Sequence, residues 1–157
     1  MAQPYITQSK LSENISINPD FCDDPFYRYK MHQIIIETTK GKTFLINIDD
    51  VASELKVDHM YIIRYFGSVL GTQSNYDKKS HKAYLSGIFN INTLSECMIQ
   101  FIQEIVLCKQ CGLPELDYIC GKNKTILLCR SCGSSDNLND RNIPDALQKY
   151  ITSHPYK

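Results

Sequence analysis

Apolar positions from Gln33 onward fall into short blocks whose spacing predicts alternating strands and helices, while the first two dozen residues show no lasting period. Ile34-Ile35-Ile36 and Phe44-Leu45-Ile46 flank Lys40-Gly41. Runs rich in β-branched and aromatic residues on either side of a glycine-containing turn predict a hairpin. Asp49 or Asp50 can cap a short helix through Val51 to Lys56, and Asp58 a second one carrying Met60, Ile62, Ile63, Phe66, Val69 and Leu70. A short carboxylate accepts from the free N–H groups of a first turn. Gly71 suits the stop of that helix. A polar loop from Thr72 to His81 is expected next, then a strand from Ala83 to Phe89.

The longest periodic stretch begins at Thr93. Thr93 and Glu96 have the spacing of a capping box, and Leu94, Cys97, Met98, Phe101, Ile102, Ile105 and Val106 recur at intervals of three and four. That places them on one helix face, and such a stripe is a core face. The helix runs directly into Cys108. Beyond it, Leu116 to Ile119 and Thr125 to Leu128 can pair about Gly121-Lys122, and Ile143 to Tyr150 reads as a closing helix. The fold class expected is α+β, a small antiparallel sheet packed with helices and followed by a C-terminal four-cysteine ribbon. Its expected divisions are a flexible acidic tail (1–24), an α+β core (25–107), and a ribbon plus helix (108–157). Strand order is not readable from the pattern.

Charge adds an asymmetry. The 157 residues balance seventeen Lys plus Arg against seventeen Asp plus Glu, but residues 1–25 set Lys10 against Glu13, Asp20, Asp23 and Asp24. Such an arm, rich in Gln, Ser and Asn, is expected to be mobile. Zero net charge counts against a chain whose main work is gripping phosphate backbones, so nucleic-acid contact should be local, at Lys109, Lys122, Lys124 and Arg130. No apolar run approaches the roughly 20 residues of a bilayer span. Met1 to Lys10 lacks the basic and apolar regions of a secretory signal, so a cytoplasmic monomer is expected.

Cysteine spacing carries the clearest chemistry. Cys108-Lys-Gln-Cys111 and Cys129-Arg-Ser-Cys132 are two C-x2-C knuckles separated by seventeen residues, within the spacing of zinc ribbons. Two intervening residues let both sulfurs of a knuckle reach one tetrahedral ion, and Gly112 and Gly133 permit the tight turn that follows. Four thiolates leave no open position, which implies one structural zinc. Disulfides fit a cytosolic chain poorly, and a redox dithiol needs one pair only. Cys22, Cys97 and Cys120 receive no role. The four histidines are scattered and no Gly-rich phosphate loop or Ser/His/Asp set is present, so no reaction of the chain's own is expected.

Several motifs together resemble one family. Asp24-Pro25-Phe26-Tyr27-Arg28-Tyr29-Lys30-Met31, Arg64-Tyr65-Phe66-Gly67 with Leu70-Gly71-Thr72-Gln73, and Phe101-Ile102 leading to Val106-Leu107-Cys108-x-x-Cys111 and Pro114-Glu115 are similar to the N-terminal part of eukaryotic translation initiation factor 5. Its relatives are the beta subunits of initiation factor 2. The resemblance implies a GTPase activator for initiation factor 2, whose gamma subunit is the GTPase, on the small ribosomal subunit and its RNA with the initiator tRNA complex. It implies Arg28 as an arginine finger in trans, with Lys42 and Arg64 as supporting basic contacts. Phe26, Tyr27, Tyr29 and Lys30 would anchor the segment on the GTPase. Three features depart from the family pattern: a short loop before Lys42, His32 where proline is common, and an end at Lys157 with no acidic linker or C-terminal helical-repeat domain. Two other readings stay open, a beta-like subunit of initiation factor 2 and a ribosome-bound zinc protein without activation.

Overall fold

The computed structural model describes residues 5–7, 14–18, 24, 26–122 and 124–154. In chain order its elements are β1 (Ile6–Thr7), β2 (Asn14–Ser16), β3 (Lys30–His32), β4 (Ile34–Thr39), β5 (Lys42–Leu45), α1 (Ile48–Leu55), α2 (His59–Leu70), β6 (Ser74–Asp77) and β7 (Lys82–Ser86). Then follow α3 (Ile91–Phe101), a π-helical turn (Ile102–Val106), β8 (Leu116–Gly121), β9 (Lys124–Cys129), β10 (Ser135–Asn137) and α4 (Asp145–Ser153). The result is α+β, as expected. A five-stranded sheet runs β1-β4-β5-β7-β6, a three-stranded ribbon runs β10-β9-β8, and β2 pairs with β3.

The β4–β5 hairpin turns at Lys40 and Gly41, with φ of 52° and 74°. Two consecutive positive φ values are what a tight two-residue hairpin loop requires. α1 starts earlier than expected, after Asn47. The Asn47 side chain does not cap it because its amide is spent on the strand, with Oδ1 accepting from Ile35 N (2.8 Å) and Nδ2 donating to Gln33 O (2.8 Å). Asp49 and Asp50 therefore lie inside the first turn, where their charge suits the helix dipole. Asp58 caps α2 as expected, accepting from Met60 N at 2.9 Å, and Gly71 ends it at φ 66°.

Three further boundaries differ from expectation. The stretch from Thr72 to His81 contains β6, an edge strand whose residues are polar except Tyr76 and so leave no apolar alternation to read. α3 is capped by Asn90, whose Oδ1 accepts from Thr93 N (2.7 Å), so Thr93 lies within the first turn rather than before it. In the stretch expected to be a mobile arm, Tyr5–Thr7 and Asn14–Asn18 belong to the fold. β1 runs parallel to β4, β2 runs antiparallel to β3, and Tyr5, Ile6, Ile15 and Ile17 are buried. Strands of two and three residues are too short to show a period. Apart from Asp24, the rest of that stretch lies outside the described residues.

The ribbon is fused to the core at the end of the long helix. The last turn opens into a π-turn, with Leu107 N donating to Ile102 O (2.9 Å), and its terminal carbonyls are taken by side chains from beyond Cys108. Arg141 Nη1 donates to Glu104 O and Leu107 O, each at 3.0 Å, while its Nε donates to Asp136 Oδ2 at 3.0 Å. Tyr118 OH donates to Ile105 O at 2.8 Å. α4 then packs back, with Tyr61 OH donating to His154 O and the Tyr61 ring meeting Tyr118 and Tyr150 edge-on. Replacing Arg141 by Met is expected to cost roughly 3 kcal/mol, because it strands two buried carbonyls and a half-buried carboxylate. Equilibrium chemical denaturation checks this.

Candidate metal centre and the arginine segment beside it

Each knuckle is a tight turn closed by its own backbone. Gly112 N donates to Cys108 O (2.9 Å) and Gly133 N to Cys129 O (3.0 Å), with the two glycines at φ 76° and 77°. A side chain would strain either position. The turns bring the sulfurs of Cys108, Cys111, Cys129 and Cys132 within 4.8 Å of one another. Across the knuckles, Cys108 Sγ lies 3.7 Å from Cys132 Sγ, and Cys111 Sγ lies 3.6 Å from Cys129 Sγ. These separations are far beyond the ~2.05 Å of a disulfide. They match the edge of about 3.8 Å that a tetrahedron with ~2.3 Å metal–sulfur bonds would have. This is the only such group of His, Cys, Asp and Glu among the described residues.

The surroundings favour thiolate at two of the four. Burial pushes the Cys108 thiol up, but the Ser134 hydroxyl at 3.3 Å and the N–H groups of Cys111 and Gln110 outweigh it, leaving a pKa of about 6. The same hydroxyl, 3.1 Å from Cys132, lowers that thiol as well. Burial instead pushes Cys111 up to about 12. Cys97 is buried in the core, Cys120 sits beside Thr125 and Ile151 O, and Cys22 lies outside the described residues.

The segment bearing Arg28 lies against this centre. Exposure alternates from Phe26 to Met31, with Phe26, Arg28 and Lys30 outward and Tyr27, Tyr29 and Met31 inward. Such two-residue alternation is that of extended chain on a core. Phe26 is 87% exposed and Tyr27 only 6%. Tyr29 meets the Tyr27 ring edge-on at 5.4 Å and donates from its hydroxyl to Glu115 Oε1 at 2.6 Å. Asn18 Nδ2 donates to Gly112 O at 3.0 Å. Tyr27 is thus withdrawn from any outer contact and the Tyr29 hydroxyl is engaged. Phe26 and Lys30 remain outward, although Lys30 Nζ donates to Ser16 Oγ at 2.9 Å. Arg28 makes no ion pair with a described residue.

The other basic residues divide by their partners. Lys42 Nζ stands 4.6 Å above the Tyr84 ring, and the Arg64 guanidinium 4.1 Å above the Tyr150 ring. Of the four residues expected to offer local nucleic-acid contact, Lys109 pairs with Glu104 (3.0 Å) and Arg130 with Glu115 (3.1 Å). That leaves Lys122 and Lys124 unpaired among the described residues. Sequence reasoning assigned no role to Glu115, Ser134 or Asn18. Only Glu115 carried a signal, as part of the Pro114-Glu115 motif.

Residues 19–135 match the family described as the domain found in initiation factors 2B and 5. The chain is 35% identical over 138 residues to eukaryotic translation initiation factor 5 of Caenorhabditis elegans, covering 85% of this chain and 31% of that protein. It is 34% identical over 138 residues to the factor 5 of Phaseolus vulgaris, covering 85% of this chain and 30% of that protein. Against the factor 5 of Mus musculus it is 38% identical over 116 residues, or 70% of this chain and 27% of that protein. It therefore spans about a third of the length of these relatives. No helix among the described residues is long and apolar enough to cross a membrane.

The alternation at Phe26 and Tyr27 separates surface from core. Phe26→Ala is expected to leave stability within about 0.5 kcal/mol, whereas Tyr27→Ala should cost about 3 kcal/mol. Thermal denaturation of the two variants checks the contrast.

Proposed function

The chain belongs to the family of the domain found in initiation factors 2B and 5, and from that premise we propose that it activates GTP hydrolysis by initiation factor 2 on the small ribosomal subunit during start-codon recognition. The observation that carries the reading is Arg28, exposed and without an ion pair among the described residues, on a segment whose neighbours are packed inward. A guanidinium is planar and always charged, so it can donate to the oxygens of a γ-phosphoryl group as negative charge develops there. Supplied in trans, such a residue accelerates hydrolysis by roughly 10³ to 10⁵. The nucleotide belongs to the gamma subunit of initiation factor 2, and the chain acts as a regulator of that reaction rather than as an enzyme. Phe26 supplies apolar contact beside the finger. Lys42 and Arg64, each held above an aromatic ring, offer positive charge to the GTPase or to ribosomal RNA near the initiator tRNA.

Cys108, Cys111, Cys129 and Cys132 would hold one zinc ion. The donor set fits, since four sulfurs at near-tetrahedral separations leave no position for substrate. When bound, the ion supplies folding free energy to a small ribbon with little core of its own.

A beta-like subunit is the second reading, favoured by the family description, which names factor 2B beside factor 5. It requires stable co-purification with the gamma subunit without ribosomes.

Single-turnover GTP hydrolysis by initiation factor 2 bound to initiator tRNA and the small subunit tests the first reading. Arg28→Ala and Arg28→Lys are each expected to lose on the order of 10³ of the stimulation; stimulation equal to wild type refutes the finger. Metal analysis of the purified chain should find about one zinc per molecule, and Cys129→Ser should lose it together with the ribbon's protection from proteolysis.

A further inference from the structure

One carboxylate links the two knuckles to the arginine segment. Glu115 follows the first knuckle, and its oxygens face in two directions: Oε1 accepts from Tyr29 OH at 2.6 Å, and Oε2 meets Arg130 Nη2 at 3.1 Å. Arg130 lies between Cys129 and Cys132 of the second knuckle, and its backbone N–H donates to Glu115 O at 2.9 Å. Ile17 N donates to Tyr29 O at 3.0 Å, so the main chain beside Arg28 is tied as well. Only 19% of the Glu115 side chain is exposed, which shields these bonds from competing water.

We propose that Glu115 is a positioning residue that carries the order of the ribbon to Arg28. A phenol donating to a carboxylate is a charge-assisted bond, stronger than a neutral one. It fixes Tyr29, and the Tyr29 ring fixes Tyr27 by edge contact, so both neighbours of Arg28 are held inward. With period-two alternation, holding them inward aims Arg28 outward. A finger presented on a clamped backbone loses less conformational freedom when it docks than one on a loose arm. The effect on hydrolysis rests on reading Arg28 as the finger, whereas the clamp is a property of the chain by itself.

Limited trypsin digestion of the whole metal-loaded chain separates the two. Cleavage after Arg28 reports the clamp, and cleavage after Lys122 in the β8–β9 turn reports the ribbon. Glu115→Ala is expected to speed cleavage after Arg28 by about tenfold and leave cleavage after Lys122 unchanged. Glu115→Gln, whose amide oxygen still accepts from Tyr29, should restore most of the protection. Tyr29→Phe combined with Glu115→Ala should be no faster than Glu115→Ala, since both remove one bond. Unchanged cleavage after Arg28 in Glu115→Ala, or an equal rise at Lys122, overturns the proposal. In the hydrolysis assay Glu115→Ala should lower stimulation less than Arg28→Ala does. If Glu115→Ala frees the segment while Arg28→Ala stimulates like wild type, the clamp stands and the finger reading falls; the opposite pair of results leaves the finger and removes the clamp.

Discussion

The buried Arg141 guanidinium at the end of the long helix is the constraint on which the rest depends. Only 1% of that side chain is exposed, and a charge so placed is tolerated only where its donors meet acceptors. It finds them in two carbonyls that the helix terminus leaves open and in one carboxylate of β10. A cation there also suits the negative end of the helix dipole. Core, helix end and ribbon are thereby held at one point, immediately before Cys108. Without it the cysteines would still form knuckles, but those knuckles would not stand in a set relation to the sheet.

That relation gives the ribbon a second task besides its own integrity. The knuckle turns offer Gly112 O and Glu115 as docking points for a segment whose own contacts with the sheet are short. β2 and β3 share three residue pairs, too few to define a position alone. The aromatic residues around Arg28 divide accordingly. Tyr27 and Tyr29 spend their surface on the chain itself, while Phe26 keeps its ring outward.

Much of this architecture was legible in the residues. The hairpin about Lys40-Gly41, the Asp58 cap, the Gly71 stop and the paired C-x2-C knuckles are local signals, and local signals survive folding. Boundaries failed where a tertiary contact claimed a capping group. Asn47 looks like a cap and is consumed by β4, and Asn90 displaced Thr93 from the position its spacing suggested. β1 and β2 were invisible because Tyr5, Ile6, Ile15 and Ile17 gain their meaning only from partners far along the chain. At the site, the ligand set followed from spacing alone. The Tyr29–Glu115 bond, between residues 86 apart, could not have.

The π-turn from Ile102 to Val106 has a bearing on how such a chain can drift. A turn of this kind holds one residue more than an α-helical turn over the same length of axis. Removing that residue would restore regular helix yet rotate everything downstream by about 100° and draw it back about 1.5 Å. Cys108 would then leave the arc on which it meets the other three sulfurs, and the carbonyls of Glu104 and Leu107 would swing away from Arg141. Substitutions along α3 are open to history so long as the buried face stays apolar. The number of residues between Asn90 and Cys108 is not, because it sets the phase at which one half of the molecule is handed to the other.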